Sequence, residues 1–138
     1  GHSIIMAIMK FNVGVKAAII QNDKLLVVKH RTKGFWDVPG GRIDTEESVQ
    51  QTLMRELNEE LPSHSNASIG DIVCAYRVPG SVIDDETGLL LLVYRVELTL
   101  GDDIALSDEH SEVKWMTFDE ANQYGSHIVK ETVKALTA

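Results

Sequence analysis

An amphipathic helix predicted over residues 45–61 is the feature that most constrains how this chain can fold. Val49, Leu53 and Leu57 recur every four residues, with Leu61 beside them. Because residues four apart lie on one face of an α-helix, these side chains form an apolar stripe that must pack on a core. The helix is therefore expected to lie against another layer of structure.

The limits of this helix follow from capping and proline rules. Thr45 is predicted to cap the first turn, with Ser48 and two early glutamates favouring the positive end of the helix dipole. Pro62 disfavours helical geometry at the residue before it, so the helix is expected to end near Leu61.

Three glutamates of the same helix, Glu56, Glu59 and Glu60, fall within an arc of roughly 100° beside the apolar stripe. Like charges one turn apart repel each other, and the cost is larger near a buried face. An ordinary solvated acidic face is one interpretation. The other is a bound cation, because hard divalent metal ions prefer carboxylate oxygens.

The rest of the pattern predicts an α/β domain. Turn residues at positions 21–23 indicate that two strands, residues 11–20 and 24–30, form a hairpin. Residues 34–41 are predicted to be irregular, and residues 80–88 to form an acidic loop. The whole favours one layered domain over residues 1–138, with a mixed sheet. Its other elements are strands over 69–78, 89–98 and 113–116 and a closing helix over 118–136, interrupted near Gly125.

The net charge of −8 argues against some classes of function. No run of Lys and Arg supplies the basic face of a nucleic-acid-binding protein. An acidic protein that handles a polyphosphate would need metal ions to neutralise both partners. The longest apolar run, residues 89–94, is too short to span a membrane. Neither a nucleic acid nor a membrane is an expected partner.

Two features of the sequence concern the cellular compartment and the natural start of the protein. Cys74 is the single cysteine and is flanked by apolar residues, so it is interpreted as a buried small hydrophobe in a reduced, cytoplasmic protein. Residues 1–3 precede any methionine and look like a cloning remnant, with Met6 or Met9 as the natural start.

A spaced motif runs into the glutamate helix. Gly41 is followed after five residues by Glu47 and, after seven more, by the run Arg55-Glu56-Leu57-Asn58-Glu59-Glu60. This segment resembles the Nudix box and matches seven of its nine specified positions with the spacing intact. Pro62 and Ser63 replace the glycine and aliphatic residue that end the box, so a different exit loop is expected.

The resemblance implies a Nudix-type α/β/α sandwich with a central mixed sheet and a Mg²⁺-dependent hydrolase, with Mn²⁺ as a substitute ion. In such a protein Glu56, Glu59 and Glu60 would hold the metal, with the backbone carbonyl of Gly40 as a further ligand. Metal-assisted hydrolysis of a phosphoanhydride needs neutralised phosphate oxygens and a positioned water, which this arrangement would supply.

Other residues gain expected roles from their positions around the motif. Arg55 would orient the glutamates, Glu47 would pair with Arg55, and Gly41 would shape the loop before the helix. Arg31 and Lys33 precede the glycine-rich loop and could bind substrate phosphates, although a solvated hairpin end is an equal alternative. For Trp36, in the same loop, core packing is favoured over stacking on a base.

The general base is left open. Glu59 or Glu60 could serve, as could Glu109 or Glu112 from a later loop. His110 is a further candidate, because its spacing to a following tryptophan resembles a loop of the family's GDP-mannose hydrolases, where a histidine is the base. A lone histidine in a loop is more often a surface residue.

Two classes of function follow. The first is an enzyme that hydrolyses a small nucleotide substrate such as a nucleoside triphosphate, a nucleotide sugar or ADP-ribose. The second is a Nudix-fold sensor that binds a nucleotide without cleaving it. The presence of all the metal carboxylates favours the enzyme, while formation of a homodimer stays open.

Overall fold

The computed structural model describes residues 9–80 and 83–138, so residues 1–3, Met6 and part of the predicted 80–88 loop lie outside it. Regular secondary structure extends from Lys10 to Leu136, close to the first and last described residues. The elements in chain order are β1 (Lys10–Ala18), β2 (Ile20–Gln21), β3 (Lys24–His30), β4 (Trp36–Asp37), β5 (Gly40–Arg42), α1 (Val49–Glu60), β6 (Ser65–Arg77), β7 (Thr87–Thr99), β8 (His110–Thr117), α2 (Phe118–Tyr124) and α3 (His127–Leu136).

The strands form two four-stranded sheets. The first has the order β5-β1-β7-β6, in which β1 and β7 are parallel and the other neighbours are antiparallel. The second contains β2, β3 and β4, with β8 antiparallel to β3. The predicted α/β class with mixed strand directions is confirmed, and the strands are divided between two sheets.

Helices cover opposite faces of these strands, because β1 and β3 bury alternate side chains on two sides. Val15, Ala17 and Leu26 belong to one apolar core, and Leu25 and Val27 belong to the other. The first core is completed by Leu53, Leu57 and Leu61, and the second by Ala121, Ile128, Val129 and Val133. The apolar stripe of the glutamate helix thus packs as its spacing predicts.

The predicted hairpin between residues 11–20 and 24–30 is largely wrong. Only Ile20 and Gln21 pair with β3, whereas β1 pairs with β5 on one side and with β7 on the other. The chain crosses from the first sheet to the second at Ile19, whose carbonyl accepts a hydrogen bond from the N–H of Leu26. The stretch 34–41, predicted to be irregular, contains β4 and the start of β5.

The start of the glutamate helix also differs from the prediction. Ser48, in extended geometry, is the N-cap, and its side chain accepts from the N–H of Gln51 while the Gln51 side chain accepts from Ser48. Thr45 has a φ of +45°, which is incompatible with an N-cap, so the helix begins at Val49. The helix ends at Glu60 with Leu61 as its C-cap, one residue before Pro62.

Three smaller expectations can be compared with the structure. The break in the last helix is found at Gly125, which separates α2 from α3. Trp36 packs against the second core, as expected, and Cys74 is half-buried beside the same core. Within residues 9–80 and 83–138, no helix has the length and apolar character that crossing a membrane requires.

Candidate active site

A cleft of about 800 Å³ is lined by residues of both sheets, α1 and α3. Its acidic lining comes from α1, from residues 37–44 and from the loop before β8, whereas most of its apolar lining comes from β6 and the two residues after it, β7 and α3. The acidic side chains are Asp37, Asp44, Glu56, Glu59, Glu60 and Glu109. The apolar side chains are Phe35, Ile43, Tyr76, Val78, Pro79, Leu89, Leu91 and Ile128.

The glycine loop and α1 hold two glutamates at the bottom of this cleft. The Gly40 N–H donates to Oε2 of Glu60 at 2.6 Å, and Glu60 is only 3% exposed. Gly41 lies so close to Glu56 that a Cβ atom at this position would collide with the Glu56 carboxylate. The glycines therefore let the backbone approach the carboxylates, which is a physical reason for the Gly-Gly pair before the helix.

Arg55 links the remaining members of the motif. Its Nε and Nη2 donate to the two carboxylate oxygens of Glu47 at 2.8 and 2.9 Å. Its Nη1 donates to Oε1 of Glu56 at 2.8 Å and lies 3.5 Å from Oε1 of Glu59. Because the guanidinium is planar and held at both ends, it fixes the position of Glu56.

The surroundings of the two inner glutamates disfavour their charged forms. Burial raises the pKa of Glu60 to about 8, although Lys16 and the Gly40 N–H act in the opposite direction. Burial also raises the pKa of Glu56; Arg55 opposes that rise, and neighbouring carboxylates add to it. A cation placed between them would remove this cost.

His110 lies in the same part of the cleft, at the start of β8. It is 5% exposed, and its Nε2 is 3.5 Å from Oε1 of Glu60. Its Nδ1 is buried and has no hydrogen-bond partner among the described residues. Burial, ahead of the charges around it, lowers the pKa of His110, so its imidazole is neutral near pH 7. The interpretation of His110 as a surface residue is therefore wrong.

Lys16 and Asp37 form an ion pair on the floor of the cleft, with Nζ of Lys16 3.0 Å from Oδ2 of Asp37. Both side chains line the cleft, one from β1 and one from β4. Asp37 is further fixed by the N–H of Val38, which donates to its Oδ1 at 2.8 Å.

The sequence model of the NUDIX domain family matches residues 10–136 of this chain. The chain belongs to the Nudix family. The expectations of a Nudix fold and of a Nudix hydrolase are thereby confirmed.

Individual Nudix proteins resemble the chain to different extents. A CTP pyrophosphohydrolase of Escherichia coli is 28% identical over 115 residues, which cover 80% of this chain and 79% of that protein. An 8-oxo-dGTP diphosphatase of Proteus vulgaris is 44% identical over 34 residues, or 25% of this chain and 30% of that protein. A crystal structure of a MutT NUDIX hydrolase from Burkholderia pseudomallei has a TM-score of 0.76 at 23% identity, covering 92% of this chain and 98% of its own.

The Nudix glutamates fit a divalent metal ion by their chemistry. Glu56, Glu59 and Glu60 all line the cleft beside Gly40, and carboxylate and carbonyl oxygens are the ligands of Mg²⁺ and Mn²⁺. Burial, and to a smaller extent neighbouring carboxylates, raises the pKa of Glu56 and of Glu60, and a bound cation would favour their charged forms. Across residues 9–80 and 83–138, no three His, Cys, Asp or Glu side chains are already grouped as metal ligands, and Glu59 contacts Arg55 instead.

The structure does not bring the predicted phosphate-binding residues to the Nudix cleft. Arg31 donates from Nε to the Asp108 carbonyl at 2.7 Å and from Nη2 to the His110 carbonyl at 3.2 Å, so it fixes the loop before β8. Neither Arg31 nor Lys33 is among the described residues that line the cleft. The predicted phosphate-binding role of this pair therefore has no structural support.

The candidate bases also differ in whether they line the cleft. Glu59, Glu60, Glu109 and His110 line the cleft. Glu112 lies outside that lining and is 3.6 Å from Nζ of Lys29 on the surface of β3. It is thus removed from the candidates.

Sequence reasoning missed Lys16 and Asp37. The available signal was a lysine within the otherwise apolar stretch of β1, where Val15 and Ala17 are fully buried. A charged residue at such a position is costly unless it has a partner or a function. The partner, Asp37, follows only from the structure, because β4 is too short for a sequence pattern to reveal it.

Proposed function

We propose that this Nudix enzyme hydrolyses a phosphoanhydride bond of a nucleoside triphosphate, with Mg²⁺ held by Glu56, Glu59, Glu60 and the Gly40 carbonyl. The observation that carries this proposal is the group of three glutamates, Glu56, Glu59 and Glu60, which lines a cleft beside Gly40 together with apolar side chains. A volume of about 800 Å³ is in the range of small-molecule sites, and a nucleotide combines a polyphosphate with a flat apolar base.

The names of relatives support a triphosphate over the other substrates. The similar Escherichia coli protein is a CTP pyrophosphohydrolase, and the similar Proteus vulgaris protein is an 8-oxo-dGTP diphosphatase. Nucleotide sugars and ADP-ribose are the other substrates to be tested. The single, half-buried Cys74 supports a reduced, cytoplasmic setting as part of the proposal.

Each residue of the site has a distinct task in this mechanism. When bound, the metal would neutralise phosphate oxygens and make the attacking water more acidic. Arg55, fixed by Glu47, holds Glu56 in place, and the Gly40 N–H holds Glu60. The base must reach a water in the cleft, and Glu59, whose side chain is 57% exposed, is the most accessible helix glutamate. We therefore assign the base to Glu59, through the carboxylate oxygen that would not bind the metal.

The test is a turnover assay with Mg²⁺ and a panel of nucleoside triphosphates, nucleotide sugars and ADP-ribose. Glu59→Gln and Glu60→Gln should each lower kcat by roughly 100-fold or more, since each removes a carboxylate that would bind the metal. Glu112→Gln is the matched control and should leave activity unchanged. Tight binding of one nucleotide without turnover of any would refute the enzyme and favour the sensor.

A second candidate is a GDP-sugar hydrolase with His110 as base. It is favoured by the neutral, buried imidazole and by the unpartnered Nδ1 of His110. His110→Ala should then abolish turnover of a GDP-sugar. If His110→Ala retains full activity on every substrate that the wild type turns over, this candidate is eliminated.

A further inference from the structure

We propose that Lys16 is a substrate-binding residue whose ammonium group contacts a phosphate oxygen of the nucleotide. This inference rests on the proposed function, since it assumes that the cleft binds a nucleotide. It assigns a role to a residue outside the Nudix box.

The position of Lys16 on β1 directs its side chain into the cleft. Val15 and Ala17 face the core that contains α1, whereas Gly14 and Lys16 line the cleft on the other side of the strand. The aliphatic part of Lys16 packs under the glycine loop, because a Cβ atom at Gly40 would lie 2.9 Å from its Cδ. The ammonium is therefore held beside the glutamates.

The cleft needs a cation at this place. Six carboxylates line it, and a polyphosphate would add further negative charge. Arg55 is already engaged by Glu47, Glu56 and Glu59. Arg42 also lines the cleft, but it is exposed at the surface end of β5. Lys16, whose side chain is 13% exposed, is less exposed than the two arginines among the described residues of the lining.

The ammonium of Lys16 has N–H donors to spare. It has three N–H groups, and its hydrogen bond among the described residues is the one to Asp37. A charged N–H donor forms a shorter and stronger hydrogen bond with a phosphate oxygen than a neutral donor does.

A phosphate oxygen is the favoured partner, rather than a group on the base. Nζ of Lys16 is 3.0 Å from Oδ2 of Asp37, and its side chain lies against Gly40, whose N–H donates to Glu60, so its ammonium is among the acidic groups of the cleft. Most of the apolar lining comes from other elements, β6 with the two residues after it, β7 and α3, and a base would be buried against these side chains. A purely structural ion pair with Asp37 is the competing interpretation.

The experiment compares Asp37→Asn with the double variant Lys16→Met/Asp37→Asn. Asp37→Asn removes the ion pair but keeps the lysine, so the comparison isolates the ammonium from the pair. The probes are analogues of ATP, CTP and GTP with methylene groups in place of the bridging oxygens, and binding is measured calorimetrically with Mg²⁺. Turnover of the natural triphosphates by the wild type is measured in parallel.

The double variant should bind all three analogues at least about tenfold more weakly than Asp37→Asn, by a similar factor for each base. Equal binding by the two variants would show that Lys16 is only structural, and a loss for one base alone would place the contact on that base. Either result overturns the proposal, as does a wild type that binds no analogue.

Two further results keep the interpretation unambiguous. If Lys16→Met/Asp37→Asn does not fold, Lys16→Gln/Asp37→Asn replaces it with a polar pair and the same comparison applies. If the wild type binds the analogues but hydrolyses no nucleotide, the proposed function fails while the binding comparison still decides the role of Lys16.

Discussion

Glu60 is a residue whose contribution to the free energy of unfolding depends directly on pH. Its folded pKa of about 8 lies above the ordinary value of 4.5, so between these pH values the folded protein keeps a proton that the unfolded chain has lost. The free energy of unfolding of the metal-free protein should therefore fall as pH rises through this window, with a contribution of about 1 kcal/mol per pH unit.

Urea unfolding of the chelator-treated protein at several pH values measures this slope. Glu60→Gln removes the titrating group, so the variant should lose the contribution and gain stability relative to the wild type above pH 8. The lowered pKa of His110 affects stability below its ordinary value of 6.5, so the slopes of the two proteins are compared above pH 7. Parallel pH profiles for the two proteins would contradict the prediction.

The residues of the site that could be predicted from the sequence are those on the helix α1. Glu56 and Glu60 lie beside Leu53 and Leu57 because residues one turn apart share a face, and the structure places them in the cleft. Lys16 could not be assigned in this way, because its role depends on Asp37 and on the glycine loop. Those contacts exist only after β1, β4 and β5 have come together.

Among the elements, α1 offers a direct test of capping. Ser48→Ala removes the side-chain oxygen that accepts from the Gln51 N–H at 3.1 Å, and it should cost about 1 kcal/mol of unfolding free energy. Thr45→Ala is the matched control and should change stability little. Thr45 is exposed and has no capping contact, and its φ of +45° disfavours threonine and alanine alike. Chemical denaturation measures both. A larger loss for Thr45→Ala would restore Thr45 as the cap.

Elements with local causes were predicted well, and elements with distant partners were not. The buried run of β3 was predicted at the bounds it has, Lys24–His30, because its four apolar residues and its turn are adjacent in the chain. The hairpin failed because β1 finds its longest pairing in β7, across nine residue pairs, and not in its neighbour β3. The turn at residues 21–23 is real, but it joins β3 to the two residues of β2.

For the molecule as a whole, metal binding should appear as stability. A ligand that binds only the folded state adds about 3 kcal/mol when present at about 100 times its dissociation constant. Mg²⁺ or Mn²⁺ alone should therefore raise the Tm of the wild type, and a chelator should reverse the increase. The net charge of −8 means that nonspecific screening could also stabilise, so the same ionic strength of a monovalent salt is needed as a reference.

The variants separate site binding from screening. Glu59→Gln/Glu60→Gln should lose most of the metal-dependent increase in Tm, whereas Glu112→Gln, on the surface of β8, should keep it. An equal increase in all three proteins would show that the ions act by screening and that the glutamate helix is not the site.

The parallel pairing of β1 with β7 also determines when the site can form during synthesis. Lys10 pairs with Thr87 and Ala18 with Arg95, so each partner of β1 lies 77 residues further along the chain. Closing so long a loop costs conformational entropy before the pairing is gained, and folding is slowed accordingly. On the ribosome, β1 must stay unpaired with β7 until more than half of the 138 residues have followed it. The floor of the cleft, which includes Lys16, is thus completed only after β7 has been synthesised.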